Sequence, residues 1–233
     1  MSDEFKSIKK IERMEKRQGK DRKDLIEFLK NTLIMLCIAV VAGGILGLVY
    51  EVTKEPIANM AVREKQAANR KVFADAAEFS DSMFDKEDLA ARSAELFDAN
   101  GEAFDADVTD CISAYDASGN LLGYVMEVTA HGGYSGDIVY QLGIQMDGTL
   151  NGISLTSISE TAGLGMRAEE VLVPQFKNKN VPVFEVTKTG AVMANQIDAI
   201  SSATSTSSAV TEGVNCALEF FRMILIGGSD YVE

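Results

Sequence analysis

Apolar residues are distributed unevenly along this chain of 233 residues. Residues 31–50 form a run of twenty residues without one charged side chain. Because a helix rises about 1.5 Å per residue, such a run spans roughly 30 Å, the thickness of the hydrocarbon core of a bilayer. We predict an uncleaved transmembrane helix here, with a cleaved signal peptide as the alternative. The run is longer than the apolar core of a signal peptide, and charged residues follow it instead of a small-residue cleavage site, which favours the anchor.

The segments on either side of this span are expected to be partly helical. Apolar side chains among residues 1–30 recur at roughly helical spacing, which predicts a short amphipathic helix interrupted at Gly19, although a frayed tail fits the same pattern. After the span, a stretch rich in Ala, Arg, Lys and Gln predicts a helix that opens at Pro56 and ends near Glu78. Residues 79–107 are polar and are expected to be irregular.

From Val108 onward the pattern changes to the alternation that is typical of strands. The predicted strands cover residues 108–115, 121–129, 139–146 and 150–158. Residues 116–120 predict a turn, and Asp147-Gly148 predicts a hairpin, because both central positions of such a turn favour a positive φ. Apolar residues between Ser207 and Ile226 then recur at helical spacing. The predicted fold class is α+β, an antiparallel sheet with helices, preceded by one transmembrane helix.

Charge predicts the orientation of these parts in a membrane. Residues 1–30 hold ten Lys/Arg and seven Asp/Glu, whereas the rest of the chain holds twelve and twenty-eight. Lys and Arg concentrate on the cytoplasmic side of a span. We therefore expect four segments: a cytoplasmic segment over 1–30, the transmembrane helix over 31–50, a helical and irregular connection over 51–107, and an extracytoplasmic domain over 108–233.

Composition also excludes some functions. An acidic domain repels phosphates, so nucleic acid is not expected as a partner. The three cysteines, Cys37, Cys111 and Cys216, form no CxxC pair and no cluster with histidine, which argues against iron–sulfur and structural zinc sites. Cys111 and Cys216 are interpreted either as a disulfide or as two buried thiols.

One polar segment could hold a phosphate group. Seven of the eight residues 201–208 carry a hydroxyl, and the predicted C-terminal helix begins at the end of this segment. Helix N-termini offer unpaired N–H groups and a positive partial charge, and hydroxyls add hydrogen-bond donors. The alternative is an ordinary Ser/Thr N-cap in a polar loop.

The same segment resembles a known modification motif. Asp-Ala-Ile-Ser-Ser-Ala-Thr at residues 198–204 is similar to the flavinylation motif of the FMN-binding domain in the G subunit of Rnf complexes and in the C subunit of the sodium-pumping NADH:quinone reductase. By this resemblance, Thr204 is the residue esterified to the phosphate of FMN. Ser202 stands where the family usually has Gly, and a positive φ at this position would cost Ser about 1 kcal/mol.

Two further segments support the resemblance. Residues 159–165 (Ser-Glu-Thr-Ala-Gly-Leu-Gly) are similar to the family's Glu-Thr-Pro-Gly-Leu-Gly, with Ala in place of Pro, and residues 132–138 are similar to its Gly-Tyr-x-Gly-x-Ile element. Tyr134 is expected either to stack on the isoalloxazine ring or to fill the core, and His131 is expected to have a surface role. The candidate cofactor-binding residues are Ser201, Ser202, Ala203, Ser205, Thr206, Glu160, Thr161, Gly163, Leu164, Gly165, Tyr134 and Gly136.

The resemblance implies a function. The chain is expected to be an electron-transfer subunit with covalent FMN in a complex that couples ferredoxin:NAD⁺ oxidoreduction to Na⁺ or H⁺ export. Its implied partners are Rnf subunits A, B, C, D and E, among them a second flavinylated subunit and iron–sulfur subunits, together with a flavin transferase for maturation. The alternatives are the C subunit of the quinone reductase, an anchored flavin domain that serves extracellular electron transfer, and a flavin-free anchored scaffold.

Overall fold

The computed structural model describes residues 2–98 and 100–227, with side chains from residue 28 onward. The helices and strands follow one another in this order: α1 (Ser2–Val72), β1 (Glu78–Phe79), α2 (Lys86–Ser93), β2 (Ala106–Tyr115), β3 (Leu121–Ala130), β4 (Ile138–Gln145), β5 (Leu150–Ser157), α3 (Ala168–Val171), β6 (Glu185–Thr187), β7 (Gln196–Asp198) and α4 (Thr204–Phe220). A π-helical turn, Phe221–Leu225, extends α4.

The N-terminal part of the chain is one continuous helix. α1 is interrupted neither at Gly19 nor at Pro56, so the predicted break and the predicted helix start were wrong. A single Gly costs a helix about 1 kcal/mol and an internal Pro about 3 kcal/mol, and the long helix-forming stretches on both sides outweigh these local losses. The predicted amphipathic face of residues 1–27 lies outside the described side chains.

One helix in the described part of the chain is long and apolar enough to cross a membrane. An 18-residue window within α1 has a mean hydropathy of 2.6, and no part of that window is buried against protein. Its exposed large apolar side chains include Leu33, Leu36, Val40, Ile45, Leu48 and Val49. Such an apolar surface would be unfavourable in water, which indicates a membrane-anchored protein.

The chain forms two compact units, residues 1–60 and residues 61–233. The second unit is built on a five-stranded antiparallel sheet in the order β1-β2-β3-β4-β5, in which each strand pairs with the next along the chain. The predicted α+β class with an antiparallel sheet is confirmed, and the four predicted strands correspond to β2–β5. From β2 to β5 the sheet is a meander, because short connections join consecutive antiparallel strands, whereas α2 lies between β1 and β2.

The two faces of the sheet are covered by different helices. α4 packs on one face, where Val210 and Val214 join the main core and the Tyr140 hydroxyl donates to the Val210 carbonyl at 2.9 Å. On the other face, Val72 and Phe73 at the end of α1 form a smaller cluster with Ile112 and other apolar residues of the sheet. The sheet is therefore buried on both sides, which fixes the positions of its strand ends.

The structure also contains elements that the sequence pattern did not predict. α2 lies in the region 79–107 that we expected to be irregular. β6 and β7 are three residues each and pair in parallel. Strands this short carry too few residues for an alternation to be detectable.

Candidate functional site

Most of the hydroxyl-rich segment lies inside α4, because residues 204–208 are helical and only residues 201–203 precede the helix. We predicted a start at Ser207, but α4 begins at Thr204, so this prediction was wrong by three residues. The Ser207 hydroxyl is buried, donates to the Ala203 carbonyl at 3.0 Å and accepts the Ile200 N–H at 2.9 Å. Through these two hydrogen bonds, Ser207 holds the segment from Ile200 to Ala203 against the start of α4.

The backbone immediately before the helix turns sharply. Ser202 has a φ of 63°, in the left-handed region, and Ala203 precedes the first helical residue without a side-chain cap. The position where the related motif has Gly therefore does adopt a positive φ, a conformation that costs a residue with a Cβ about 1 kcal/mol or more. This turn places Thr204 at the first position of α4.

Thr204 presents an available hydroxyl at this helix start. Its side chain is half-buried, and its Oγ1 has no hydrogen-bond partner among the described residues. The first N–H groups of a helix lack partners within that helix, and the Ala203 methyl cannot supply one. Ser201, Ser202 and Ser205 are exposed around it. An anion on the Thr204 oxygen would meet free amide donors and the positive end of the helix dipole.

A buried carboxylate supports the same helical turn from the other side. Glu160, only 8% exposed, accepts the Thr206 hydroxyl at 3.0 Å and the Ser135 amide at 3.2 Å. Thr206 is 1% exposed. These bonds join three segments that are far apart in sequence and that the resemblance had singled out. Glu160 and Thr206 are therefore hydrogen-bonded to each other and do not present these groups to solvent.

Two glycines allow this close packing. A Cβ on Gly165 would lie 2.6 Å from Thr206 Oγ1 and 2.8 Å from Glu160 Oε2, far closer than such atoms approach. A Cβ on Gly133 would lie 2.9 Å from Glu160 Oε1 and closer still to the Gly136 carbonyl. Both positions therefore exclude any side chain, so Gly is required there for packing.

Other candidate residues lie on exposed loops. Tyr134 is 77% exposed, so it does not fill the core. Thr161 and Leu164 are exposed, with the Thr161 carbonyl accepting the Leu164 amide at 3.1 Å. Gly163 and Gly136 have positive φ values of 77° and 139°. The exposed aromatic and apolar side chains in these loops leave surface onto which a flat ring could pack.

The sequence did not indicate the interactions of His131. The imidazole Nε2 lies 3.0 Å from Asp107 Oδ2, and Nδ1 lies 3.0 Å from Asp137 Oδ1. The hydrogen bonds to Asp107 and to Asp137 raise the pKa of His131 above 6.5, although partial burial opposes this. The two aspartates are 24 and 6 residues away, and no spacing rule would have paired them with the histidine.

The described residues contain no cluster of ligating side chains that could hold a metal ion. Cys111 and Cys216 are free and buried, in agreement with the interpretation as two thiols. Burial in the core raises the pKa of each to about 12, so neither is a reactive thiolate at neutral pH.

Comparison with known proteins places this site in a family. A sequence model described as an FMN-binding domain matches residues 133–219, a range that contains Glu160 and Thr204. The chain is 31% identical over 197 residues to the G subunit of the Na⁺-translocating ferredoxin:NAD⁺ oxidoreductase complex of Acetobacterium woodii, an alignment that covers 82% of this chain and 89% of that one. The chain belongs to the G-subunit family of ion-translocating oxidoreductase complexes.

Other members of this family are similar over comparable lengths. The G subunit of the ion-translocating oxidoreductase complex of Methanosarcina acetivorans is 29% identical, with 84% of this chain and 96% of that chain covered. The G subunit of the proton-translocating ferredoxin:NAD⁺ oxidoreductase complex of Clostridium ljungdahlii is 28% identical, with 87% and 94% covered. Among solved structures, NqrC of Shewanella oneidensis is 18% identical, with a TM-score of 0.42 over 65% of this chain and 70% of that one. That last likeness is too slight to support an assignment.

Proposed function

We propose that this G-family chain is an electron-transfer subunit that carries FMN as a phosphoester on Thr204. The observation that carries the proposal is the position of Thr204, whose hydroxyl lacks a partner among the described residues at the first position of α4. A phosphate on this oxygen would lie beside the first amides of the helix, where negative charge is stabilised.

The surroundings of Thr204 fit such a group. The Ser205 hydroxyl is fixed by donation to the Gly132 carbonyl at 3.1 Å, and Thr206 is fixed by Glu160 at 3.0 Å. Both residues that follow Thr204 are therefore positioned by other segments, which pre-orients the first turn of α4. Since Thr204 combines half-burial with a hydroxyl that is unbonded within the described part of the chain, it is the favoured acceptor over Ser205 and Thr206.

The chemistry is divided between the cofactor and the chain. Bound FMN would supply one- and two-electron transfer, while the protein orients the ring and sets its environment. The first amides of α4 would hold the phosphate, and the exposed Tyr134 and Leu164 would offer surface to the ring. Glu160 fixes the first turn by accepting the Thr206 hydroxyl. A covalent ester would also make retention of the flavin independent of binding affinity.

The chain would act inside a larger assembly. Its relatives are subunits of complexes that are named for Na⁺ or proton translocation, so we propose that electron transfer through this subunit is coupled to export of one of these ions. The proposed partners are the other Rnf subunits A, B, C, D and E, including a second flavinylated subunit and iron–sulfur subunits. A flavin transferase is the proposed maturation partner; it would transfer FMN from FAD to the Thr204 hydroxyl, breaking the pyrophosphate bond of FAD and releasing AMP. We propose a cytoplasmic N-terminus and an extracytoplasmic flavin domain, because Lys and Arg are enriched before the apolar run.

The proposal is tested by coexpressing the full chain with a flavin transferase and measuring intact mass and in-gel flavin fluorescence after denaturation. Wild type should carry one FMN, and Thr204→Ala should carry none. Ser208→Ala is the matched control, because it removes an exposed hydroxyl of the same segment that bonds to none of the described residues, and it should leave the modification intact.

Two results would overturn this assignment. Covalent flavin that persists in Thr204→Ala would mean that another residue is the acceptor. Wild-type protein that stays colourless and unmodified would favour an anchored scaffold in which residues 201–208 only begin a helix.

A further inference from the structure

His131 joins the ends of three neighbouring strands. It directly follows β3, and its ring lies between Asp107 in β2 and Asp137 immediately before β4, at 3.0 Å from each carboxylate. Its backbone N–H donates to the Asp105 carbonyl at 2.9 Å. The bond to Asp137 closes the base of the loop formed by residues 132–136.

This loop contacts the first turn of α4 at two points. The Gly132 carbonyl accepts the Ser205 hydroxyl at 3.1 Å. The Ser135 amide donates to Glu160, which in turn accepts the Thr206 hydroxyl. The loop therefore contacts, directly or through one side chain, the two residues that follow Thr204.

The arrangement requires a protonated ring. Imidazolium donates from both nitrogens, whereas neutral imidazole has one donor and one acceptor. A neutral ring would place its lone pair against one carboxylate and lose that bond. Two further acids lie on the adjoining segments: the Asp105 carbonyl accepts the His131 N–H, and Glu212 of α4 accepts the Asp105 amide at 2.8 Å. The carboxylates that face the two ring nitrogens favour the charged ring.

We propose that His131 is a protonation-dependent clamp that holds residues 132–136 against the first turn of α4, so that the geometry beside Thr204 changes with pH. His131 is a positioning residue in this role. Because its pKa is raised above 6.5 by the two aspartates, the stabilisation is fully present below pH 6.5 and is lost as the pH rises through the folded-state pKa. The effect on a flavin rests on the proposed function, whereas the clamp itself does not.

The clamp is tested first without flavin. His131 is the single histidine of the chain, so ¹³C-histidine labelling of full-length Thr204→Ala in detergent gives one imidazole signal. We expect its midpoint above 6.5, and we expect Asp137→Asn to lower that midpoint. The protection factor of the Ser135 amide, which corrects its exchange rate for the base catalysis common to all amides, should fall about fivefold above the midpoint, as for loss of one ordinary hydrogen bond.

The matched control is Asp116→Asn, which changes an acid in the turn at the opposite end of the β2–β3 hairpin and should leave the imidazole midpoint unchanged. A midpoint at or below 6.5 would overturn the clamp, and so would a Ser135 protection factor that stays constant across the titration. Either result is obtained in protein that carries no flavin, so it is independent of whether Thr204 is the attachment site.

The second arm uses the flavinylated full chain. The visible circular dichroism of the flavin should change with the midpoint of His131, and His131→Gln, whose side chain does not titrate, should abolish that change while thermal unfolding shows a folded domain. A flavin signal that keeps the same pH dependence in His131→Gln would refute the coupling between the clamp and the site.

Discussion

Ser202 provides a test of the backbone geometry next to the proposed attachment residue. Its φ of 63° lies in the left-handed region, and its hydroxyl has no partner within the described residues. Replacing Ser202 with Gly would relieve the strain on the Cβ without removing a contact. The prediction is that Ser202→Gly stabilises the folded domain.

The expected gain is a difference between two opposing effects. A residue with a Cβ loses about 1–2 kcal/mol of folding stability when its backbone lies in the left-handed region. Introducing Gly lowers folding stability by about 0.5–1 kcal/mol, because the unfolded chain gains conformational freedom. The central values of the two ranges differ by about 0.75 kcal/mol, and this net gain corresponds to about 2–3 °C in melting temperature for a domain of this size.

The assay is thermal and denaturant unfolding of the full chain, produced without flavin transferase so that ligand binding does not contribute. Near-ultraviolet circular dichroism of the tyrosines reports on the folded domain, since the chain lacks Trp. Asn178→Gly is a matched control: Asn178 has a φ of 55°, but Asn tolerates this region better, so the gain should be smaller. Ser201→Gly, where φ is not positive, should destabilise.

The reasoning would be refuted if Ser202→Gly were neutral or destabilising, or if it behaved like Ser201→Gly. Either result would mean that the turn before α4 does not hold Ser202 in the left-handed region.

Two further predictions concern packing and charge. Gly165→Ala should lower the free energy of unfolding, measured by denaturant titration, by about 1–3 kcal/mol, because its Cβ would lie 2.6 Å from Thr206 Oγ1. Gly132→Ala, whose Cβ would have its nearest contact at 3.3 Å, should lower it clearly less. Equal losses of stability in the two variants would contradict this explanation. Lys65 bridges Asp110 at 2.7 Å and Glu127 at 2.9 Å. Burial alone would raise the pKa of Asp110, but the hydrogen bonds and charge of its partners outweigh burial and lower this pKa below 3.8. The ion pair with Lys65 therefore stabilises the folded domain above pH 3.8, and this stabilisation is lost as the pH falls through the folded-state pKa of Asp110. In Lys65→Met, the free energy of unfolding should therefore decrease less than in wild type when the pH is lowered. Lys71→Met removes only the exposed pair with Glu169 at 3.7 Å, so its free energy of unfolding should depend on pH as in wild type.

Local sequence patterns predicted the elements whose repeat is long. The four strands of the meander and the C-terminal helix each contain several periods of their pattern, and the span is an uncharged run of twenty residues. The same approach failed where a single residue seemed decisive. Pro56 and Gly19 were interpreted as helix boundaries, but their local cost is small beside the length of α1.

The site was predictable as a set of segments but not as a set of contacts. The three motifs drew attention to Glu160, Thr204 and Tyr134, yet the bond between Glu160 and Thr206 joins residues 46 positions apart. Whether a hydroxyl points inward, as in Ser207, or stays free, as in Thr204, depends on tertiary packing that periodicity does not encode. The pairing of His131 with two aspartates depends on strand register for the same reason.

The most direct test of the central claim is to locate the flavin on the chain. Trypsin should release residues 189–222 as one peptide that contains every hydroxyl of the segment 201–208, since no Lys or Arg lies between Lys188 and Arg222. Fragmentation of this peptide from flavinylated wild type should place one FMN on Thr204. An FMN on any other residue, or a peptide that remains unmodified beside an active flavin transferase, would contradict the account.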